Sequence, residues 1–226
     1  MVDANAAAHP PAPFAGGTAL AGGTALAGLI ASRICHDLIS PVGAIGNGVE
    51  LIELVGAAGP QELSLIGDSA RSASSLLQFF RLAFGAGLDA GPHGVGALRR
   101  ILDQRFGRGR AALVWRVAPD APLTRLGARL ICLGAMGAFA ALPRGGEVTV
   151  ELGADAVLRV TGAGPGMRLQ PNAPAWLAGD PGEEAAEPRD VQWPAAHAAA
   201  HAGGAAVALD QSGEALRFTA ALPAPG

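Results

Sequence analysis

The chain has 226 residues, enough for one large domain or two small ones. Half of it is hydrophobic, but alanine supplies much of that; there are also 33 glycines and no tyrosine, so Ala and Gly say little about local structure. A net charge of −3 and a pI near 5.9 exclude a dedicated nucleic-acid binder, which would carry a basic stripe.

Residues 1–16 read as a disordered Ala/Pro-rich tail that lacks the positive n-region of a signal peptide. The hexapeptide Ala-Gly-Gly-Thr-Ala-Leu occurs at 15–20 and again at 21–26, too short to indicate a repeat fold. A long helix is predicted from about Leu20 to Val55. Within it Leu38, Val42, Ile45, Val49 and Ile52 are spaced 4, 3, 4, 3, the seam of a bundle helix. His36, Ser40, Gly43, Asn47 and Glu50 keep the same spacing on another face. His36 precedes Leu38 by two residues, about 200° around the helix, so its row points away from the seam. That row is polar or small throughout, which lets another protein's backbone come close.

Gly56 to Pro60 form a turn, with Pro60 suited to open the next helix. That helix runs to about Phe84, with a seam of Leu63, Ile66, Ala70, Ala73, Leu77, Phe80 and Phe84. The two make a helical hairpin spanning 17–86. One hairpin cannot bury two long apolar seams. Either a second copy covers them, giving a homodimeric four-helix bundle, or the C-terminal half does.

A glycine-rich linker, Gly85 to Gly94, opens onto a different pattern. The predicted elements are a helix at 95–106, a strand at 113–117 and an apolar helix at 126–142. A strand at 147–152, a turn at Ala154-Asp155 and a strand at 156–161 follow. A loop rich in Gly, Pro and Glu spans 162–190, then a helix at 191–202 and strands at 205–210 and 215–221. Helices against a mostly antiparallel sheet make 92–226 an α+β domain. Leu126 to Leu142, interrupted by Arg129, falls short of the roughly 20 residues that span a bilayer. Cys35 and Cys132 are isolated in apolar helical stretches and read as buried free thiols in a reducing compartment. The expectation is a cytoplasmic protein with no membrane or nucleic-acid partner.

The segment Ile34-Cys35-His36-Asp37-Leu38-Ile39-Ser40-Pro41 carries the chemistry. A solvent-facing imidazole beside a carboxylate can act as a nucleophile towards phosphorus. Asp37 can hold the ring's tautomer, Ser40 lies one turn along the same face, and Pro41 is expected to bend the helix just past the site. Helix pattern alone also fits a surface histidine on an ordinary bundle helix. The segment resembles the H-box of the dimerisation and histidine-phosphotransfer domain of two-component signalling proteins. That resemblance implies that His36 carries a phosphoryl group.

Residues 92–223, with Leu142-Pro143-Arg144-Gly145-Gly146-Glu147-Val148-Thr149-Val150 and the ending Leu216-Arg217-Phe218-Thr219, resemble the ATP-binding (Bergerat-type) domain of histidine kinases. The resemblance implies an α/β sandwich. A site of that kind needs an Asn on the long helix to hold Mg²⁺, an Asp for the adenine amine and a glycine-rich lid. No Asn, Asp or Glu occurs from Leu126 to Leu142, and the Asn position falls on or near Gly137. The expected Asp is Gly162, and Glu187-Pro188-Arg189-Asp190 stands where the lid should be. Glycine replaces neither a ligating nor an accepting carboxylate. The Gly-x-Gly-x-Gly at 162–166 follows a hairpin strand and does not open a βαβ unit, so it is no dinucleotide fingerprint.

A retained phosphoacceptor beside an erased kinase site resembles the ChpT-type histidine phosphotransferases of alphaproteobacterial phosphorelays, over about residues 24 to 223. The resemblance implies a homodimer. It also implies transfer from the receiver domain of a hybrid kinase (CckA-type) through His36 to response-regulator receivers (CtrA- and CpdR-type). The receiver brings the Mg²⁺, and this chain binds neither metal nor ATP. His36, Asp37 and Ser40 are the expected catalytic residues. Gly43, Ala44, Asn47 and Glu50, with Arg71, Ser74, Ser75 and Gln78 of the second helix, are expected to dock the receiver, and Arg33 to meet its acidic rim. His197 and His201, four residues apart, suit a helix-end role better than a metal; His9 and His93 have no partner in the pattern. Two other readings stay open: an active kinase with an unusual nucleotide site, and a dimeric adaptor that binds receivers without taking phosphate.

Overall fold

The computed structural model describes residues 17–85, 94–107, 109–180 and 185–223. The expected N-terminal tail, most of the glycine linker, His9 and His93 lie outside these residues. The elements run α1 (Gly17–Val55), α2 (Pro60–Phe84), α3 (Val95–Phe106), β1 (Ala111–Arg116), α4 (Arg125–Ala140), β2 (Gly146–Leu152), β3 (Val157–Ala163), α5 (Ala173–Ala178), a 3₁₀ turn (Pro188–Asp190), α6 (Gln192–Gly203), β4 (Ala206–Ser212) and β5 (Ala215–Ala221). The mixed helix-and-sheet class and the element order agree with the sequence. α5 is an addition, falling inside the span read as a loop.

α1 and α2 form the hairpin, with Pro60 in the first turn of α2, where a missing N–H costs nothing. α1 continues as helix through Pro41. Gly23–Val55 is long and apolar enough to cross a bilayer by length and composition, yet it carries Arg33, His36, Asp37, Glu50 and Glu53 and lies along α2.

The seam read for α2 needs correcting. Its buried residues are Ser69, Leu76, Phe79, Phe80 and Ala83, so the inward row is offset from the expected one. Leu63 and Leu77 are 56% and 49% exposed, and Ala70 faces out with them. α1 splits in the same way. Leu38, Ile45 and Ile52 are half-buried, whereas Val42 and Val49 are 55% and 43% exposed. Within one chain each helix therefore uses alternate seam residues and leaves the rest open.

Phe79, Phe80 and Ala83 share one core with Leu98, Leu102 and Phe106 of α3. Phe79 meets Phe106 edge-on at 5.4 Å between centroids, and Phe106 stacks on Phe139 of α4 at 4.2 Å. The end of α2 thus belongs to both halves of the molecule, and α3 is fixed against it.

The sheet has the order β1-β2-β3-β5-β4, with β1 parallel to β2 and the other pairs antiparallel. Val148, Val150, Leu158, Val160, Leu216 and Phe218 form its buried face under the helices. Thr124 caps α4 by accepting from the Gly127 N–H at 3.0 Å. α4 is buried along nearly its whole length. Its small residues allow this: a Cβ on Gly134 would run into Phe218 of the sheet. Cys132 is buried there, which raises its thiol pKa. Cys35, expected to be buried, is exposed on α1.

Candidate functional site

His36 stands out from α1 with its side chain 83% exposed. Its Nδ1 lies 3.1 Å from Oδ1 of Asp37. A carboxylate only accepts, so the Nδ1–H donates and the Nε2 lone pair is left facing solvent. Asp37 is far less accessible, with 12% of its side chain exposed. Its second oxygen, Oδ2, accepts from Arg33 Nε and from Arg105 Nη2, each at 3.1 Å. Arg33 sits one turn before Asp37 on α1, and its Nη1 also donates to the Arg189 carbonyl at 3.1 Å.

Arg105 was not among the residues expected here. It comes from α3, immediately before the buried Phe106, and its guanidinium lies 5.1 Å from the Phe106 ring and 5.9 Å from that of Phe79. Burial lowers its pKa, and the Asp37 charge acts in the opposite direction. No local pattern marks it: it is one of many arginines, 68 residues from its partner.

Ser40, expected to be catalytic, is exposed on α1; of the expected docking residues, Gly43, Asn47 and Glu50 are exposed along α1, as are Arg71, Ser74 and Gln78 on α2. Three differ from expectation. Ala44 is half-buried. Ser75 turns its hydroxyl into the protein, where it has no partner among the described residues. Arg33 is engaged by Asp37 and Arg189, with only 18% of its side chain exposed. Arg71 is paired with Asp68 at 2.8 Å.

Beside this cluster, at the C-terminal end of α4, lies the region where a nucleotide would bind in the resembled kinase domain. The residues present do not fit one. A Cβ on Gly137 would fall inside the Trp193 indole, and a Cβ on Gly162 would press on Ala138 of α4 at 3.2 Å. The space for an anchoring Asn or Asp is taken by packing. What remains is an open groove of about 660 Å³ whose lining includes Arg33, Arg168, Arg189, Gln192 and Trp193. Asp190 beside it is buried, which raises its pKa against the opposing pull of Arg189. His197 is held by the Leu177 carbonyl at 3.0 Å and stacks with His201 at 6.0 Å, near the end of α6. Among the described residues no group of three or more His, Cys, Asp or Glu is placed to hold a metal.

The profile of the histidine phosphotransferase C-terminal domain family matches residues 95–215. Protein phosphotransferase ChpT of Brucella abortus (strain 2308) is 37% identical over 171 residues, covering 73% of this chain and 79% of that protein. Among solved structures, a bacterial phosphotransferase determined at 1.7 Å superposes with a TM-score of 0.71 at 31% identity, over 87% of this chain and 96% of the other.

Proposed function

The chain belongs to the ChpT-type histidine phosphotransferases, enzymes of phosphorelays that work between histidine kinases and response regulators, and on that premise we propose that His36 carries the phosphoryl group. The observation that supports this most directly is the pairing of His36 with Asp37. An exposed imidazole whose Nδ1 proton is held by a carboxylate presents Nε2 as the nucleophile. A partner receiver's phosphoaspartate places its phosphorus in line with Nε2. The N–P bond forms as the acyl-phosphate P–O bond breaks, and the aspartate carboxylate leaves with its electron pair. Positive charge develops on the ring, and Asp37 stabilises it through the retained Nδ1–H. The reverse step delivers the group to a second receiver. Mg²⁺ belongs to the receiver, and positioning supplies most of the catalysis.

The donor is read as the receiver of a CckA-type hybrid kinase, and the acceptors as CtrA- and CpdR-type receivers. Ser40, Gly43, Asn47 and Glu50 of α1, with Arg71, Ser74 and Gln78 of α2, form the surface offered to them. The basic groove holding Arg168 and Arg189 is available to a second part of an acidic regulator. ATP has no role in this reading, because Trp193 and Ala138 take the space of its anchors. The active form is a homodimer: Val42, Val49, Leu63 and Leu77 are the open residues of bundle seams, and a second hairpin would cover them. In this reading the protein works in the cytoplasm, with the apolar face of α1 covered by the second hairpin and not by lipid.

Phosphotransfer from a phosphorylated hybrid-kinase receiver to the wild-type protein and to His36→Ala, beside an ATP-only control, tests the reading. Label on wild type alone, and only from the receiver, is expected. Label from ATP alone would restore the kinase reading, and label on neither protein would leave a receiver-binding adaptor.

A further inference from the structure

The phosphoacceptor histidine lies on the hairpin, but its support does not end there. Asp37 Oδ1 takes the His36 Nδ1–H, while Oδ2 is shared by two guanidinium groups. Arg33 belongs to the same helix. Arg105 belongs to α3, in the half of the molecule that resembles a kinase ATPase domain. Its side chain is 24% exposed and its guanidinium is flanked by Phe79 and Phe106, so packing restricts its direction. Phe79 and Phe106 are themselves buried in the core that joins α2 to α3. Arg105 Nε is buried without an acceptor among the described residues, so Asp37 Oδ2 is the acceptor that orients this group.

We propose that Arg105 is a positioning residue for phosphoryl transfer: reaching from α3, it fixes the Asp37 carboxylate so that Oδ1 holds the His36 proton on Nδ1 and leaves Nε2 free to attack. This rests on His36 being the phosphoacceptor. It gives the C-terminal half a part in the chemistry that needs no nucleotide. The proton stays on Nδ1 throughout, and Arg105 neither gains nor loses one. Its contribution is to hold the acceptor still while ring charge develops. Arg33 alone is a weaker guide, because its guanidinium is also drawn towards the Arg189 carbonyl.

The test uses the full chain with Arg105→Met, which keeps an unbranched side chain between the two phenyl rings, and Arg105→Lys, which restores the charge. Two readouts are taken: transfer kinetics from a phosphorylated receiver over a range of receiver concentrations, and ¹⁵N ring shifts of His36, assigned against His36→Gln. For Arg105→Met, kcat is expected to fall roughly tenfold, the scale of one charge-assisted hydrogen bond, with KM within about twofold. The His36 shifts should move towards the Nε2–H tautomer, and Arg105→Lys should recover part of both effects. Wild-type kcat with unchanged shifts in either folded variant overturns the proposal, and so does a change in KM alone, which would make Arg105 a docking residue. If Arg105→Met does not fold, Arg105→Lys decides: full wild-type kcat and shifts would show that the planar donor is not needed for positioning. Label appearing on His36→Gln would instead sink the phosphoacceptor reading, a result distinct from these.

Discussion

Two neighbouring regions packed on α4 show two fates of a charged site. Near its C-terminus, where the resembled kinase domain would hold a nucleotide, Trp193 packs where a side chain on Gly137 would stand. Across the α3 boundary, the His36 site keeps a carboxylate with 12% of its side chain exposed, offset by two arginines at 3.1 Å each. Burying an apolar ring needs no partner, whereas burying a charge needs several. Packing alone can therefore fill the space beside Gly137. A held carboxylate such as Asp37 needs its cations, one of them drawn from the other half of the chain.

The sharpest way to break that contrast is to neutralise the held carboxylate. Asp37→Asn should lower the rate of transfer onto His36 about 100-fold, the usual scale for losing a charged proton-holding partner. Rapid-quench measurement with a phosphorylated receiver reads this directly, and a rate within twofold of wild type would leave Asp37 as a surface carboxylate. A second experiment asks whether the open seams are an interface. Leu77→Glu combined with Val42→Glu places charges on residues 49% and 55% exposed in one chain. Light scattering should then report a monomer where the wild type is a dimer, with dimer affinity weakened by about 100-fold or more. A wild type that is already monomeric would assign that face to another occupant.

The sequence disclosed local patterns and missed pairings made at a distance. The His36–Asp37 pair is legible because the two are neighbours on one helix, and the missing Asn and Asp are legible because an absence needs no geometry. Arg105 was not, since nothing near Gln104-Arg105-Phe106 records which carboxylate it will meet. The α2 seam was misread for a related reason. A 3–4 spacing marks one apolar face of a helix, but it does not say which residues of that face its own hairpin covers and which it leaves open. Leu63 and Leu77 were accordingly grouped with Phe80. Cys35 was assigned to the interior on the strength of apolar neighbours, although it shares the exposed arc of α1 with His36. α5 was hidden by Pro171, Asn172 and Pro174, which read as loop, although Pro at the start of a helix is well tolerated.

Restoring the lost anchor should cost stability before it gains affinity. In Gly137→Asn the new side chain must displace the Trp193 ring, which is 1% exposed and touches Phe218 at 6.2 Å between centroids. Overpacking of this kind destabilises by about 1–3 kcal/mol. Chemical denaturation should show that loss, and calorimetry with Mg²⁺ and ATP should show no binding heat. Binding by this variant would mean that the cavity is only masked by the indole.

The smallest effect separates the two regions by their carboxylates. Asp190, buried beside the groove, has one cation at 3.5 Å, from an Arg189 side chain that is 67% exposed, where Asp37 has two at 3.1 Å. Burial raises the Asp190 pKa above its ordinary 3.8 and Arg189 only partly offsets this. The folded state therefore holds this proton more tightly than the unfolded chain does. The stability this provides is present in full below pH 3.8 and is lost as pH rises through the folded-state pKa. At neutral pH the ionised group is a burden, so Asp190→Asn should raise Tm by roughly 1–3 °C at pH 7. The gain should shrink or reverse near pH 4, where the wild-type group begins to recover its proton. Melting curves at the two pH values check the sign. An equal shift at both would assign the effect to packing and not to charge, and a loss confined to pH 7 would show that Arg189 supports this carboxylate as fully as Arg33 and Arg105 support Asp37.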